Sequence, residues 1–397
     1  MKNPNDITKY RRGKKRGKLA LKPLVAAIIA AGAAFAAFNA ETALAPFEGI
    51  ARNLFGKKPS GAAGFPVRLP GSAGYFFGAY DGGFMLLTDT YIYTYGENGA
   101  LINSLQHGYA NPRASVNDKK ILAYDQNGRQ FSFYGRNGRV YEHSAEDRIV
   151  YAEIGENEAA AVVFRGTAYA SVLEVYDGKG RWKYRRRFVD EHIMRAAFMN
   201  GDRELIVASI GFDSGDNTAT VRKFNVNSED EEGLWKTALP PNVLPFALRE
   251  DSGDVFVLCD AAIFVIDAES GVMKGGYEYS GVLIDYAFHG DAGVLLVDDY
   301  LVGDKMLLVI DGNGELSCQA DVGYNAVRVE AFDVLQGSAV YVMENDRVTE
   351  YTWDLSLSGE YVLGDEYSEF IKIKNYFYLL GYDTVERKPL LQWEREE

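Results

Sequence analysis

The sequence contains little cysteine, histidine and proline. Two cysteines among 397 residues exclude a disulfide scaffold and any zinc or iron–sulfur site built from several cysteines. The four histidines form no HxH, HxxxH or HExxH spacing, so a histidine-based metal motif is absent. With 11 prolines and no G-X-Y period, collagen is excluded as well. No GxSxG, Walker or Rossmann glycine pattern stands between a strand and a helix.

Tyrosine, phenylalanine and glycine are abundant instead. The chain has 26 Tyr, 22 Phe and 41 Gly, a composition typical of many short strands joined by tight turns. Charged residues make up 25% and hydrophobic residues 47%, which excludes wholesale disorder.

Charge is divided unequally along the chain. Residues 1–22 contain nine Lys or Arg and one acid, Asp6, for a net charge of +8. Because the whole chain carries -14, the residues after 22 carry -22. A basic tail can bind nucleic acid, but this one adjoins an apolar run, so we expect a membrane rather than a nucleic-acid partner.

That apolar run extends without charge from Leu24 to Phe38. With the cations before it, we predict a transmembrane signal anchor at residues 23–42. Residues 1–22 then form a basic cytoplasmic tail, and the remainder is extracytoplasmic. A cleaved signal peptide, with small residues at Ala34-Phe35-Ala36, and a buried soluble helix are the alternatives. Residues 43–64 are rich in Pro, Gly, Ala, Ser and Lys and are interpreted as a linker.

The rest of the sequence repeats one pattern, an alternating strand, a glycine turn and a second alternating strand. Glycine at such a turn supplies a positive φ without steric cost. Its seven copies are spaced by 39, 42, 53, 38, 43 and 45 residues, at Gly99, Gly138, Gly180, Gly233, Gly271, Gly314 and Gly359.

Each copy follows an apolar strand, such as Val255–Cys259, and a further short strand before it. Four strands per unit of about 40–45 residues is the period of a β-propeller blade. The 53-residue interval contains two additions, Gly211–Thr218 and the acidic turn Asn227–Glu232. We therefore predict that residues 65–397 form an all-β propeller domain.

The C-terminal end of the chain supplies only three strands of an eighth unit. They are predicted at Phe370–Lys374, Tyr376–Tyr382 and Val385–Pro389, and Phe65–Leu69 is the candidate for the fourth. Closure of the last blade by both chain ends removes the open sheet edges. The prediction is an eight-bladed β-propeller preceded by one transmembrane helix, with seven blades as the alternative if residues 369–397 complete no blade.

Several turns resemble PQQ-like propeller repeats. Ile266-Asp267-Ala268-Glu269-Ser270-Gly271 is similar to the D-A-x-T/S-G turn of that family, and Trp182 and Trp235 stand where it often places a blade-docking tryptophan. The layout also resembles membrane-anchored β-propeller proteins of an uncharacterised bacterial family with PQQ-like or WD40-like blades. That resemblance implies a fold and a membrane address. PQQ enzymes of this fold often use an adjacent cysteine pair, whereas Cys259 and Cys318 are 59 residues apart.

The most distinctive local pattern is a stripe of five cations on one predicted outermost strand. Their spacing of two places them on one face, and Trp182 and Tyr184 face the other way. In one interpretation, edge protection, these charges prevent the exposed sheet edge from pairing with another chain. In the other, they form a surface for an anionic partner. The basic stripe consists of Lys179, Arg181, Lys183, Arg185 and Arg187.

Two polar loops are predicted in the fourth blade. Glu229–Glu232 forms an acidic turn, and Asp213, Asp216 and Asn217 form a second loop. Neither matches an EF-hand, so solvated loops are favoured over calcium sites. Cys259 is predicted to be a buried core thiol.

The predicted function is a non-catalytic, membrane-tethered, extracytoplasmic module that binds a protein or an envelope component. No cofactor, metal or catalytic residue is predicted. The alternative is an extracytoplasmic enzyme, either a polysaccharide hydrolase or lyase or a quinone-type oxidoreductase. A soluble secreted binding protein follows if the signal is cleaved. Converging polar side chains with perturbed pKa values in the central channel would favour the enzyme.

Overall fold

The computed structural model describes residues 64–70, 76–213, 215–228, 233–299, 305–334 and 337–390. The predicted tail, the membrane anchor and the linker up to residue 63 lie outside the described residues, as does Glu229–Glu232. Within the described ranges, no helix is long and apolar enough to span a membrane.

The described residues form eight four-stranded antiparallel sheets, the blades. In blades one to seven, the strands follow chain order from the innermost to the outermost. Blade one contains β2 (Phe76–Tyr80), β3 (Gly83–Leu87), β4 (Tyr91–Tyr95) and β5 (Leu101–Gln106). Blade two contains β6 (Pro112–Val116), β7 (Ile121–Asp125), β8 (Gln130–Gly135) and β9 (Gly138–Ser144). Blade three contains β10 (Arg148–Ile154), β11 (Ala160–Arg165), β12 (Ser171–Tyr176) and β13 (Trp182–Phe188). Blade four contains β14 (His192–Met199), β15 (Glu204–Asp213), β16 (Asp216–Asn225) and β17 (Trp235–Ala238).

The second half of the chain continues the same arrangement. Blade five contains β18 (Pro245–Asp251), β19 (Asp254–Cys259), β20 (Ala262–Asp267) and β21 (Met273–Glu278). Blade six contains β22 (Val282–His289), β23 (Ala292–Asp298), β24 (Lys305–Ile310) and β25 (Leu316–Val322). Blade seven contains β26 (Arg328–Val334), β27 (Gly337–Met343), β28 (Arg347–Thr352) and β29 (Leu357–Val362). Blade eight contains β30 (Tyr367–Ile373), β31 (Tyr376–Gly381), β32 (Thr384–Pro389) and β1 (Val67–Arg68).

Both ends of the described chain build blade eight. β1 pairs with β32 as its outermost strand, in the register Val67 opposite Val385 and Arg68 opposite Thr384. The innermost strand of blade eight, β30, contacts the innermost strand of blade one, β2. The predicted eight-bladed propeller and its mode of closure are therefore confirmed, and the seven-bladed alternative is wrong.

The second strand of a blade is buried on both sides because a neighbouring blade packs on each face. β3 and β19 are buried at every position. This double burial explains why these segments are continuous apolar runs rather than alternating ones. Between blades eight and one, Phe84 stacks on Tyr95 at 4.7 Å and contacts Tyr378 at 5.6 Å between ring centroids.

One predicted turn glycine and one predicted loop are wrong. Gly359 lies inside β29, and the turn before it places Leu355 at a φ of 62° instead. Gly211–Thr218 extends the β15–β16 hairpin, with Asp213 paired with Asp216, so Asp216 and Asn217 are strand residues rather than loop residues. Backbone hydrogen bonding across ten residue pairs lengthens this blade instead of inserting a loop.

The other six turn glycines all have a positive φ, as predicted. Gly271 shows why glycine is needed, with a φ of +74°. A Cβ atom there would also lie 2.6 Å from the ring of Trp235, which belongs to blade four. This turn is therefore held by its conformation and by packing between neighbouring blades.

Candidate functional site

The basic stripe lies at the rim of blade three. Lys183, Arg185 and Arg187 are exposed on the outermost strand β13, whereas Lys179 and Arg181 lie in the preceding turn. Tyr184 is buried on the opposite side, as predicted. The predicted outermost strand of blade three is therefore confirmed, but only three of the five cations lie on that strand.

Neighbouring carboxylates neutralise two of the five cations. Arg181 Nη2 lies 2.6 Å from Asp177 Oδ2, and Arg185 Nη2 lies 2.5 Å from Glu174 Oε1. Both pairs join adjacent strands or close a turn of the same blade. They support the edge-protection interpretation for this part of the stripe.

The two tryptophans predicted to dock blades behave differently. Trp235 donates a hydrogen bond from its indole nitrogen to Ala268 O at 3.1 Å, in the next blade, and packs against Gly271. Trp182 is 56% exposed and lies near Arg185 instead. In blade two, Tyr141 packs against Gly180 of blade three, and this ring performs the docking without a tryptophan.

A groove of about 650 Å³ lies at the rim between blades three and four. Its charged lining includes Arg186 and Arg187 from β13, Lys236 from β17, and Arg222 from β16. Glu191 takes two hydrogen bonds from Arg222, with Arg222 Nη2 at 2.6 Å from Oε1. These hydrogen bonds lower the pKa of Glu191 below its usual value. Of the basic stripe, only Arg187 reaches the groove.

The innermost strands surround the central channel, and a β-bulge interrupts five of them near their start. The extra residue re-aims the side chains that follow it. Charged residues follow the bulge directly in three blades, and the bulges lie at Ile149–Tyr151, Ile193–Arg195, Pro245–Ala247, Leu283–Asp285 and Tyr367–Glu369.

One cluster of these residues joins blades six, seven and eight. Arg328 Nη2 donates to Glu369 Oε1 at 2.8 Å, and its Nη1 lies 3.7 Å from Asp285 Oδ1. Asp285 Oδ2 also accepts a hydrogen bond from Val329 N at 2.9 Å. Burial raises the pKa of Asp285 and of Glu369, and Arg328 opposes that rise in both.

Glu330 belongs to the same cluster but has a different environment. Among the described residues, its carboxyl forms no hydrogen bond or salt bridge. Burial, together with the nearby charge of Asp285, raises the pKa of Glu330 to about 7, although Arg328 lowers it. A fraction of Glu330 is therefore protonated at neutral pH.

A second cluster lies on blades two, three and four. Glu153 accepts hydrogen bonds from the Tyr151 hydroxyl and from Ser115 Oγ, the latter at 3.0 Å. The guanidinium of Arg195 lies 5.1 Å from the centroid of the Tyr151 ring. Burial raises the pKa of Glu153 despite these partners. Tyr286 of blade six is within electrostatic range of both Arg195 and Glu153, so the two clusters face a common space.

These channel residues form no pattern that is visible in the sequence. The channel does contain converging polar groups with perturbed pKa values, the feature that would favour an enzyme. Most of these groups are already hydrogen-bonded to the protein, and Glu330 is the exception among the described carboxyls of the two clusters. The signal in the sequence is a charged residue in seven of the eight first strands, all except β2, and that signal cannot show which blades bring their charges together.

The cysteines and histidines have structural surroundings. Cys259 is fully buried, as predicted, and both cysteines are free thiols. His107 is buried and its Nε2 donates to Thr88 O at 3.1 Å. His143 Nε2 donates to Gly180 O at 2.8 Å, between blades two and three. In the described part of the chain, no group of three or more His, Cys, Asp or Glu is placed to hold a metal ion.

The two flat faces of the propeller differ in their positive charge. One face, the tether face, carries the turns between first and second strands and between third and fourth strands. The chain enters the propeller there, where Gly64 N donates to Asn98 O at 3.0 Å. The described turns of this face contain seven cations, Lys119, Lys120, Arg136, Lys179, Arg181, Arg203 and Lys374.

The opposite face, the acidic face, has a single cation in its described loops, Arg129. Tyr324 and Tyr382 are exposed in these loops, by 71% and 89%. Twelve carboxylates accompany them, at Asp89, Glu146, Asp147, Asp190, Glu191, Asp260, Asp299, Glu344, Asp346, Asp365, Glu366 and Asp383.

Eight four-stranded sheets around a channel place the protein in the class of eight-bladed β-propellers. Within that class, the chain belongs to the family described as "Family of unknown function (DUF5711)", whose model matches residues 71–388. No curated protein sequence matches the chain.

Solved structures share the fold at low sequence identity. BamB from Moraxella catarrhalis superposes with a TM-score of 0.56 at 10% identity, over 82% of this chain and 98% of that chain. Saccharomyces cerevisiae Sqt1 has a TM-score of 0.57 at 12% identity, over 80% and 99%. The dihydro-heme d1 dehydrogenase NirN, solved in complex with DHE, has a TM-score of 0.54 at 13% identity, over 74% and 66%. Similarity at this level shows the fold alone, so the function has to be inferred from the surfaces of this chain.

Proposed function

We propose that this protein is a membrane-tethered, extracytoplasmic propeller that binds a partner protein through its acidic face. Residues 23–42 anchor the chain, and the linker at 43–64 leads to the tether face. The observation that carries the proposal is the contrast between the two faces, one cation against seven among the described loops. An envelope component other than a protein is the alternative ligand.

The described chain enters the propeller on the tether face, where Gly64 N donates to Asn98 O. The described turns of that face contain twelve carboxylates, as many as the acidic face, and its seven cations make it the less negative of the two faces toward anionic headgroups. We infer that a soluble or wall-associated partner binds the acidic face, because that face lies opposite the one where the described chain enters at Gly64.

The chemistry of the acidic face favours a basic partner. Carboxylates that repel each other attract cations and speed association with a positively charged surface. Exposed aromatic side chains such as Tyr324 and Tyr382 supply the apolar contact that binding sites use. BamB and the C-terminal WD40 domain of Sif2 share the propeller fold with this chain. The proposed binding surface is inferred from the residues of this chain.

Cross-linking in intact cells tests this proposal. The full chain is compared with D365K/E366K/D383K on the acidic face and with D118K/E156K/E269K on the tether face, all at exposed carboxylates. We expect a basic envelope protein to be recovered with the wild type and with the tether-face variant, and to be lost from the acidic-face variant. Equal recovery from all three would reject the acidic face as the binding surface.

Cell fractionation and mass measurement test the tether separately. An uncleaved anchor predicts a protein of 44.0 kDa that remains in the membrane fraction after carbonate washing. A shorter protein released into the medium would instead indicate signal cleavage and a secreted binding protein.

The channel supports a second candidate, an enzyme acting on polysaccharides. Glu330 is the observation that favours it, because a half-protonated carboxyl is suited to general acid catalysis. Assays of purified protein against envelope polysaccharides, with E330Q as the variant, test this candidate. Turnover that E330Q abolishes would support the enzyme.

A further inference from the structure

We propose that the groove between blades three and four binds an acidic, partly apolar peptide segment of the partner, separate from the basic surface that meets the acidic face. This inference rests on the proposed function, because it identifies a second contact on the same binding module. The groove reaches the acidic face at Asp190 and Glu191, between blades three and four, but it does not include the loops of blades seven and eight that the cross-linking variant alters.

Arg186 places a buried hydrogen-bond donor, without a partner in the described part of the chain, at the groove. Arg186 lies over the ring of Phe224, with 5.6 Å between its Cζ and the ring centroid. Its Nε is buried and has no hydrogen-bond partner among the described residues. A buried donor without an acceptor is costly, and an acceptor oxygen from a ligand would satisfy it.

The described lining of the groove carries more positive than negative charge. Arg222 is already paired with Glu191, whereas Arg187 and Lys236 are exposed and form no salt bridge with any described carboxylate. Lys236 does act electrostatically on Glu191. The described lining nevertheless holds four cations, Arg186, Arg187, Arg222 and Lys236, against two carboxylates, Asp190 and Glu191. In a domain whose net charge is strongly negative, this position attracts an anion selectively.

The lining also exposes apolar side chains next to these cations. Val189 and Leu234 are exposed by 64% and 50%, and Trp235 forms part of the wall. Exposed apolar side chains beside cations match a peptide that alternates acidic and apolar residues. A phosphate-bearing polymer would leave those apolar side chains uncovered, so a peptide is the better match. Both β13 and β17 are outermost strands, so an extended segment can lie along either edge.

The test measures peptide binding by fluorescence anisotropy with the full chain in detergent. The probe is a fluorescein-labelled nonapeptide that alternates Glu and Leu, and a second peptide replaces each Glu with Gln. The groove variant is R187E/K236E. The matched control is K179E/K183E, which reverses two exposed cations of the same blade outside the groove. All proteins are also made with residues 229–232 changed to Gly-Ser-Gly-Ser, so that the acidic sequence before Gly233 does not compete with the probe.

We expect the groove variant to weaken binding of the Glu peptide by about tenfold or more, and the control variant to change it by less than about twofold. Equal losses in both variants would overturn the proposal, because they would indicate general attraction to the basic stripe. Equal binding of the Gln peptide would overturn it too. Displacement of the probe by inorganic phosphate as effectively as by unlabelled peptide would replace the peptide assignment with a simple anion site. The cross-linking result for the acidic face is independent of every one of these outcomes.

Discussion

The Arg328 guanidinium donates a hydrogen bond to Glu369 Oε1 at 2.8 Å, across the boundary between blades seven and eight. Blade eight is the blade that both chain ends complete. This bond therefore fastens the closing blade at the channel, while the pairing of β1 with β32 fastens it at the rim. Asp285 of blade six lies on another side of the same guanidinium, so one arginine joins three blades.

Replacing Arg328 with methionine should destabilise the ring by about 1–3 kcal/mol. The side chain is 40% exposed, so we place the expected loss below that of a fully buried ion pair. The variant leaves Asp285 and Glu369 without their cation, so their pKa values should rise further above the usual range. Since ionising them then costs more, the destabilisation should grow as the pH increases through those pKa values.

Urea unfolding at pH 5 and pH 8 measures this effect. R249M is the control, because Arg249 also lies on an innermost strand but pairs only with Asp251 two residues away among the described carboxylates. If R249M and R328M lose the same stability at both pH values, the joining role of Arg328 is refuted.

Replacing Val67 with aspartate should open the propeller. Val67 is 8% exposed and packs with Phe77, Tyr378 and Val385 in the core between blades eight and one. A charge buried there without a partner is expected to cost about 3 kcal/mol or more. R68D places the same charge one residue further on, where the side chain is exposed, and should change stability by less than about 0.5 kcal/mol. Thermal unfolding compares the two, and similar midpoints would contradict closure by β1.

The two tryptophans that occupy equivalent sequence positions should contribute unequally to stability. Truncating Trp235 to alanine removes its packing on Gly271 and its hydrogen bond to Ala268 O, at an expected cost of about 2–3 kcal/mol. Truncating the exposed Trp182 should cost less than about 1 kcal/mol. Denaturant unfolding of W235A and W182A measures the difference, and a larger loss for W182A would show that the docking assignment is wrong.

The blade count and the closure could be predicted from sequence because they depend on a local pattern repeated many times. A glycine in the left-handed region and two alternating strands are visible within about fifteen residues. Gly359 shows the limit of that pattern. There the Thr352–Ser356 turn is closed by Asp354 and by backbone hydrogen bonds, and Leu355, which is 6% exposed, takes the left-handed position through its packing.

The channel and the groove could not be predicted in the same way. Arg328 and Glu369 are 41 residues apart, and their contact depends on the ring geometry that places successive first strands side by side. A spacing of two assigns Arg186 to the inner face of the strand, together with Trp182 and Tyr184, so Arg186 lies outside the basic stripe. The structure shows that this inner position is where the groove forms.

Replacing Glu330 with glutamine should stabilise the protein at alkaline pH and leave it unchanged in acid. The folded protein holds the Glu330 proton up to a pKa of about 7, whereas the ordinary value is 4.5. Between these values the folded state binds more protons than the unfolded state, so the contribution of Glu330 to stability is lost as the pH rises through 7. Above that range its ionised carboxyl costs on the order of 3 kcal/mol. Glutamine has nearly the same shape and no charge, so this cost disappears. Asp285 and Arg328 act on this position in both proteins, so the titration of Asp285 largely cancels when the two are compared.

Urea unfolding from pH 4 to pH 9 should give coincident stabilities below about pH 4.5 and a growing advantage for E330Q above it. E278Q, at an exposed glutamate of β21, should follow the wild type throughout. Curves for E330Q and the wild type that stay parallel over the whole range would mean that Glu330 titrates normally, and the second candidate function would lose its acid.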